Sequence, residues 1–176
     1  MLRFPLLGEK IDGAWNLKLT REFDMTNDSH LFKTAPGKGR LPLYEGKMIH
    51  QFDAFFAEPR YWVEEKEGRR ALLGKDELDN ARSLDYQRPR LGYRAVAAST
   101  NEHSLVASLI PARSFCGNSV ITSVDWQDSL TELCYLGAVM CSFACDWFLR
   151  QKVTTNINMF YVNQLSIPRL GAVEES

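Results

Sequence analysis

The sequence predicts an α+β fold, mixed twisted β-sheets with one long buried helix, and three observations carry that reading. Residues 93–111, YRAVAASTNEHSLVASLIP, set two apolar runs on either side of a polar turn, the pattern of two adjacent strands. Residues 14–25, AWNLKLTREFDM, alternate Trp15, Leu17 and Leu19 with Asn16, Lys18 and Thr20, the period of a half-buried strand. Residues 133–145 are uncharged and apolar nearly all round, as a buried helix is.

Composition sets the limits. A chain of 176 residues with 45% hydrophobic content can bury one substantial core, so a single domain over residues 14–170 is expected, with residues 1–13 as a lead-in or linker remnant and 171–176 as a tail. The formal net charge of −1 and pI of about 6.3 show no basic excess of the kind nucleic-acid binders usually carry, so a basic face would have to be offset by acid elsewhere. Cys116, Cys134, Cys141 and Cys145 form no CxxC pair, which leaves them as reduced core residues of a cytoplasmic protein. The segment MLRFPLLGEK is too short in apolar residues for a secretory signal.

In chain order, residues 26–29 (TNDS) offer a turn or cap, and residues 35–40 (APGKGR) a flexible basic loop carrying Lys38 and Arg40 without the spacing of a phosphate loop. Residues 41–53, LPLYEGKMIHQFD, read as a strand with Gly46 at a bulge, leaving Tyr44, Lys47 and His50-Gln51 at accessible edges. Residues 58–66 read as another strand centred on Tyr61-Trp62-Val63, followed by a basic turn at Gly68-Arg69-Arg70 and a polar helix over 76–83. In residues 86–94, YQRPRLGYR, an extended chain puts Arg88, Arg90 and Arg94 on one side. That pattern suits phosphate and base contacts, because a guanidinium bonds bidentately and stacks; a solvated face with surface ion pairs fits it equally. Asn101 and His103 sit at the exposed end of the hairpin. Asp128 or Ser129 caps a helix running to about Arg150, with Glu132 completing a capping box. Its uncharged middle of 13 residues falls short of the roughly 18 to 20 needed to cross a bilayer, so no membrane partner is expected. Arg150, Gln151 and Lys152 suit the negative end of that helix, and residues 159–167 read as a final strand before Pro168.

Three of these stretches resemble one family. LPLYEGKMIHQFD, the Arg94…Ser99-Thr100-Asn101-Glu102…Ile110-Pro111 block, and NMFYVNQLSIPRL with the long helix before it are similar, in that order, to the region following the catalytic domain in large adenine-N6 DNA methyltransferases of type II restriction-modification systems. The ending also resembles specificity domains of type I systems. The resemblance implies a DNA target-recognition domain, with double-stranded DNA and a methyltransferase catalytic domain in cis as partners. The family often continues His-Arg after the block's Asp, where this chain has Ala54 and Phe55. Candidate DNA contacts are Lys38, Arg40, Lys47, Arg69, Arg70, Arg88, Arg90, Arg94 and Asn101.

The chain carries neither the glycine-rich S-adenosylmethionine loop nor the Asn/Asp-Pro-Pro-aromatic motif, so no cofactor and no catalysis are expected of it; S-adenosylmethionine is expected in the attached catalytic domain. Two alternatives stand. Asp28, Glu45 and Lys47 spell the acids and lysine of a magnesium-dependent nuclease, and Tyr61 and Trp62 suit a protein-interaction scaffold.

Overall fold

A computed structural model describes residues 4–74, 79, 81–97, 100–126 and 129–169. Strands β1 (Lys18–Thr20), β2 (Phe32–Lys33), β3 (Arg40–Tyr44) and β4 (Tyr61–Glu64) precede helix α1 (Glu65–Leu73). Then come β5 (Arg90–Arg94), β6 (Ala107–Ile110), β7 (Phe115–Cys116) and β8 (Val120–Val124), and helices α2 (Leu130–Met140), α3 (Phe143–Arg150) and α4 (Met159–Val162). The fold is mixed α+β. One four-stranded sheet has the order β1-β8-β5-β6 and is antiparallel throughout; the other, β2-β4-β3-β7, is antiparallel except for the parallel β3–β7 pair.

The first sheet is the middle layer. On one face Leu91, Tyr93, Ala107 and Ile121 pack with Leu133, Leu136, Met140 and Leu149 of α2 and α3, and with Trp15 and Leu7. On the other, Val106, Ile110 and Val120 meet Tyr44, Met48 and Ile49. A third cluster, Phe23, Leu41, Leu43, Val63, Tyr86 and Phe115, fills the second sheet. Two glycines permit close approach. A Cβ on Gly92 would lie 2.5 Å from Ile110 Cγ1, and one on Gly68 2.6 Å from the Phe115 ring.

The expected hairpin is present as β5 paired with β6, Tyr93 opposite Ala107, but its connection is longer than a turn: Ala95 and Ala97 leave the sheet to pack in the core. The alternation in 14–25 holds in burial, Trp15 and Leu17 inside and Asn16 and Lys18 outside, although only Lys18–Thr20 forms a strand, with Phe23 making a lone bridge to Gly117. The 41–53 strand stops at Tyr44, because Gly46–Met48 turns into a short 3-10 helix. The expected strand over 58–66 ends at Glu64, and the basic turn after it is helical: Glu65 and Glu67 at the start of α1 and Arg70 near its end complement the helix dipole. Of the polar helix expected over 76–83, residues 81–83 are irregular and 76–78 and 80 lie outside the described residues, as do Asp128, Ser99 and the tail at 171–176.

The single long helix is two. Ser142 accepts the Cys145 amide and caps α3, and the chain bends by 55° between α2 and α3. The capping box at Ser129 and Glu132 is present, with Glu132 N donating to Ser129 Oγ at 3.2 Å and Ser129 N to Glu132 Oε2 at 2.9 Å. Neither helix is buried all round; Cys134, Ala138, Phe143 and Trp147 face outward. Among the described residues no single helix is long and apolar enough to cross a membrane. The final strand over 159–167 is instead a helical turn, α4, followed by an extended stretch bridging Leu6 to Ser166. Residues 4–9 are held by that stretch, with Leu7 buried and its amide donating to Leu165 O at 2.7 Å.

Candidate nucleic-acid interface

The nine candidate residues divide into those the fold uses and those it presents. Arg90, on the inter-sheet face of β5, is 2% exposed; its Nη1 lies 3.2 Å from Glu22 Oε1 and its Nη2 donates to Ser114 O at 2.9 Å. A guanidinium enclosed in this way does not face a ligand, so Arg90 leaves the set of surface contacts. Burial pushes the Glu22 carboxyl above its ordinary range, against the pull of Arg90 and of the Cys116 amide. Half-buried Arg94 donates from Nε to Gly46 O at 2.8 Å and from Nη2 to Ile49 O at 2.5 Å, pinning the 46–49 turn to the sheet. Glu102, a partner that the sequence offers Arg94, is instead in solvent, 91% exposed. Arg40 pairs with Glu64 at 2.7 Å, and Arg69 grips Asp79 with two bonds of 2.7 and 2.8 Å while also reaching Arg82 O. The grip of Arg69 holds the Asp79 carboxyl down at about 2.

Lys38, Lys47, Arg70, Arg88 and Asn101 are exposed. Lys47 lies 3.5 Å from Glu45, whose other oxygen takes Arg60 at 2.8 Å. The even spacing of Arg88, Arg90 and Arg94 therefore does not make one face. Strand β5 begins only at Arg90, so Arg88 lies in the loop before it and points outward.

Arg88 belongs to a polar groove of about 480 Å³ between the two halves of the molecule. One wall is the end of edge strand β1 with Arg21, another is α1 at Ala71 and Leu72, and the floor is the 82–88 loop. Arg21 and Arg82 complete a trio of arginines that are far apart in sequence. The acids nearby are largely engaged: Glu22 with Arg90, Asp125 with Lys18 at 3.0 Å, and Asp85 Oδ1 with the Asp125 amide at 3.1 Å. Arg21 and Arg88 are exposed, and their side chains have no hydrogen-bond or ion-pair partner among the described residues. A larger depression of about 930 Å³ beside Lys38, Lys66 and Arg69 is lined by Glu64, Glu65, Glu67 and Asp79 as well, so it presents no surplus of positive charge. The signal that could have found Arg21 is its place at the polar end of the β1 alternation; Arg82 has none in sequence.

A second exposed surface is aromatic. Phe52, Phe55 and Phe56 are 68%, 77% and 58% exposed. Phe52 has φ of 62°, a conformation a bulky side chain avoids at a cost of about 1–3 kcal/mol. Its amide is held by Ala107 O at 3.1 Å, which fixes that turn. At the two positions where the resembling family carries His-Arg, Ala54 is buried and Phe55 projects. Tyr61 and Trp62 are half-buried in β4 and do not form such a surface; Arg60 stacks 4.4 Å over Tyr61.

The nuclease residues do not assemble. Asp28 accepts the Asp24 amide at 2.7 Å and Glu45 is tied to Arg60, and no three His, Cys, Asp or Glu side chains among the described residues converge as metal ligands would. No protein-family model matches this chain, and no curated protein matches it.

Proposed function

We propose that this chain is a DNA target-recognition module that serves an adenine-N6 methyltransferase domain and carries no catalytic machinery of its own. The observation that carries the reading is the groove at Arg21, Arg82 and Arg88, where Glu22 and Asp125 are paired with Arg90 and Lys18 while the side chains of Arg21 and Arg88 stay unpaired. A concave polar surface with surplus guanidinium charge suits phosphate oxygens, and Lys38, Arg70, Lys47 and Asn101, exposed outside the groove, are further candidate contacts. The resemblance of the three sequence blocks supplies the class of parent enzyme, and S-adenosylmethionine belongs to that parent's catalytic domain.

The test is a titration of the chain against random duplex DNA at low and high salt, with sequencing of what is retained. Retention enriched in one short motif is expected, with a log–log salt slope of about −2 if Arg21 and Arg88 each neutralise one phosphate. Retention without enrichment, or none at the lowest salt, would overturn target recognition by the chain alone.

The turn at Phe52, Phe55 and Phe56 favours a second reading, a protein-interaction surface for the attached catalytic domain. Binding there would be insensitive to salt and lost on Phe55→Ser.

A further inference from the structure

A smaller pocket of about 190 Å³ adjoins the arginine groove, and Asp85 and Arg88 line both. Its remaining walls are Trp126, Leu130, Leu133 and Pro89, with the Ser123 hydroxyl and the enclosed Arg90, whose guanidinium is turned to Glu22 and Ser114. At that size it holds less than the roughly 300–1,000 Å³ of a drug-sized site, whereas the two compartments together reach that range. An apolar slot for one ring system thus opens directly beside a cationic groove.

We infer that the joined site takes a single unstacked nucleotide, its base against Trp126 and its phosphate on Arg88 and Arg21. This rests on the nucleic-acid reading of the groove and goes further, because a base paired and stacked in a duplex cannot also lie against Trp126 in a pocket of about 190 Å³.

Four observations support it. The Trp126 ring is fixed, its Nε1 donating to Ser129 O at 3.3 Å and its plane leaning on Trp15 at 5.6 Å, with Arg169 in turn 4.4 Å over Trp15. A pre-positioned indole gives a base a stacking surface without an ordering cost. Two polar groups reach the slot with capacity to spare. Ser123 Oγ accepts the Leu91 amide at 3.1 Å and keeps its proton to donate; Asp85 Oδ1 accepts the Asp125 amide and leaves Oδ2 as an acceptor. A donor beside an acceptor is what the edge of a base requires, and a carboxylate acceptor favours an exocyclic amino group. Finally, Arg88 sits at the seam between the two compartments with no partner of its own.

The experiment follows the indole N–H signals of the four tryptophans by NMR, assigned with Trp126→Phe, while deoxyadenosine monophosphate, deoxyadenosine and inorganic phosphate are added in turn. The Trp126 signal should move with the mononucleotide. Deoxyadenosine and phosphate should each bind about tenfold or more weakly, since each keeps only the stacking or only the ionic half. Arg88→Gln should weaken the mononucleotide about tenfold, as should Trp126→Leu followed by backbone amide signals at Asp125, while Trp126→Phe stays close to wild type.

Phosphate binding as well as the mononucleotide would overturn the base slot, as would an unmoved Trp126 signal. Oligonucleotides then separate the source and the two readings. An unpaired strand that binds more tightly than the mononucleotide makes nucleic acid the source; equal affinity makes it free nucleotides. If a fully paired duplex binds with a steep salt dependence, Arg88→Gln weakens it and Trp126→Leu leaves all binding unchanged, target recognition stands and the nucleotide site falls. If only the unpaired strand binds, the site stands and duplex recognition falls.

Discussion

The buried pair of Glu22 and Arg90 makes a sharp thermodynamic prediction. Arg90 is 2% exposed and the Glu22 side chain 5%, with 3.2 Å between Nη1 and Oε1. At an effective dielectric constant of about 20 their attraction is about 5 kcal/mol, and removing one partner of such a pair typically costs about 3–5 kcal/mol because the other charge stays enclosed. Glu22→Gln preserves an acceptor for the Cys116 amide, now bonded at 2.7 Å, and removes only the charge. Because burial already raises the Glu22 carboxyl, its uncharged form is the better tolerated one in the fold, so this variant should cost less than Arg90→Met, for which about 3–5 kcal/mol is expected. In Arg90→Met the stem is replaced by a side chain of similar length and Ser114 O loses its donor, while Glu22 is left alone. In the double variant neither charge remains, and the deficit should be about 2–3 kcal/mol smaller than the sum of the singles. The sign with pH follows from the direction of the Glu22 shift. A carboxyl raised in the folded state binds its proton more tightly there, so its favourable contribution is full below the unfolded value and is lost as pH rises through the folded value. Without Arg90 the carboxyl should rise further, so the Arg90→Met deficit should be smallest near pH 4 and grow toward neutrality. Urea unfolding with linear extrapolation measures all of this. A Glu22→Gln loss larger than that of Arg90→Met, or simple additivity of the two singles, would refute it.

Three further outcomes are expected. The Asp79 carboxyl, held by Arg69 at about 2, should show a midpoint near that value in a carboxyl NMR titration and return toward about 4 in Arg69→Met; its contribution to stability is full above about pH 4 and lost as pH falls toward 2. Burial raises the Cys116 thiol to about 12, so native protein at pH 8 should react with a thiol reagent first at exposed Cys134 and not at Cys116, as mass mapping of the labelled peptides will show. Gly92→Ala should destabilise by about 1–3 kcal/mol in the same urea assay, because Ile110 stands 2.5 Å from the new methyl.

Much of the secondary structure was legible because it obeys local rules. The β1 alternation, the β5–β6 pair and the Ser129–Glu132 box are periodicities or short-range bonds that the sequence displays directly. What escaped depends on distant partners. The burial of Arg90 needs Glu22 and Cys116 from other elements, and α1 tolerates Gly68 only because Phe115 fills the space a side chain would occupy. The break at Ser142 was locally available, as a serine followed three residues later by an amide it can cap, but a continuous apolar run hid it. The candidate site was legible in part. The spacing of Arg88 points to a face it does not share with Arg90, while Arg21 and Arg82 become neighbours only when edge strand β1 meets the loop before β5.

The clasp between the two ends of the described chain governs how the protein can fold. Ser166 Oγ donates to Phe4 O across 162 residues, Ile167 N donates to Pro5 O, and Arg169 Nη2 reaches the carbonyls of Leu6 and Leu7 at 3.1 Å each. At about 5–20 residues per second, synthesis leaves Leu7 without its partner strand for on the order of ten to thirty seconds. Strand β1 likewise waits for β8 before it can pair. Closure is thus a late, non-local event, slow in the way that high contact order makes folding slow, and until it happens Leu7, Trp15 and Leu17 stay open to chaperones and to other chains.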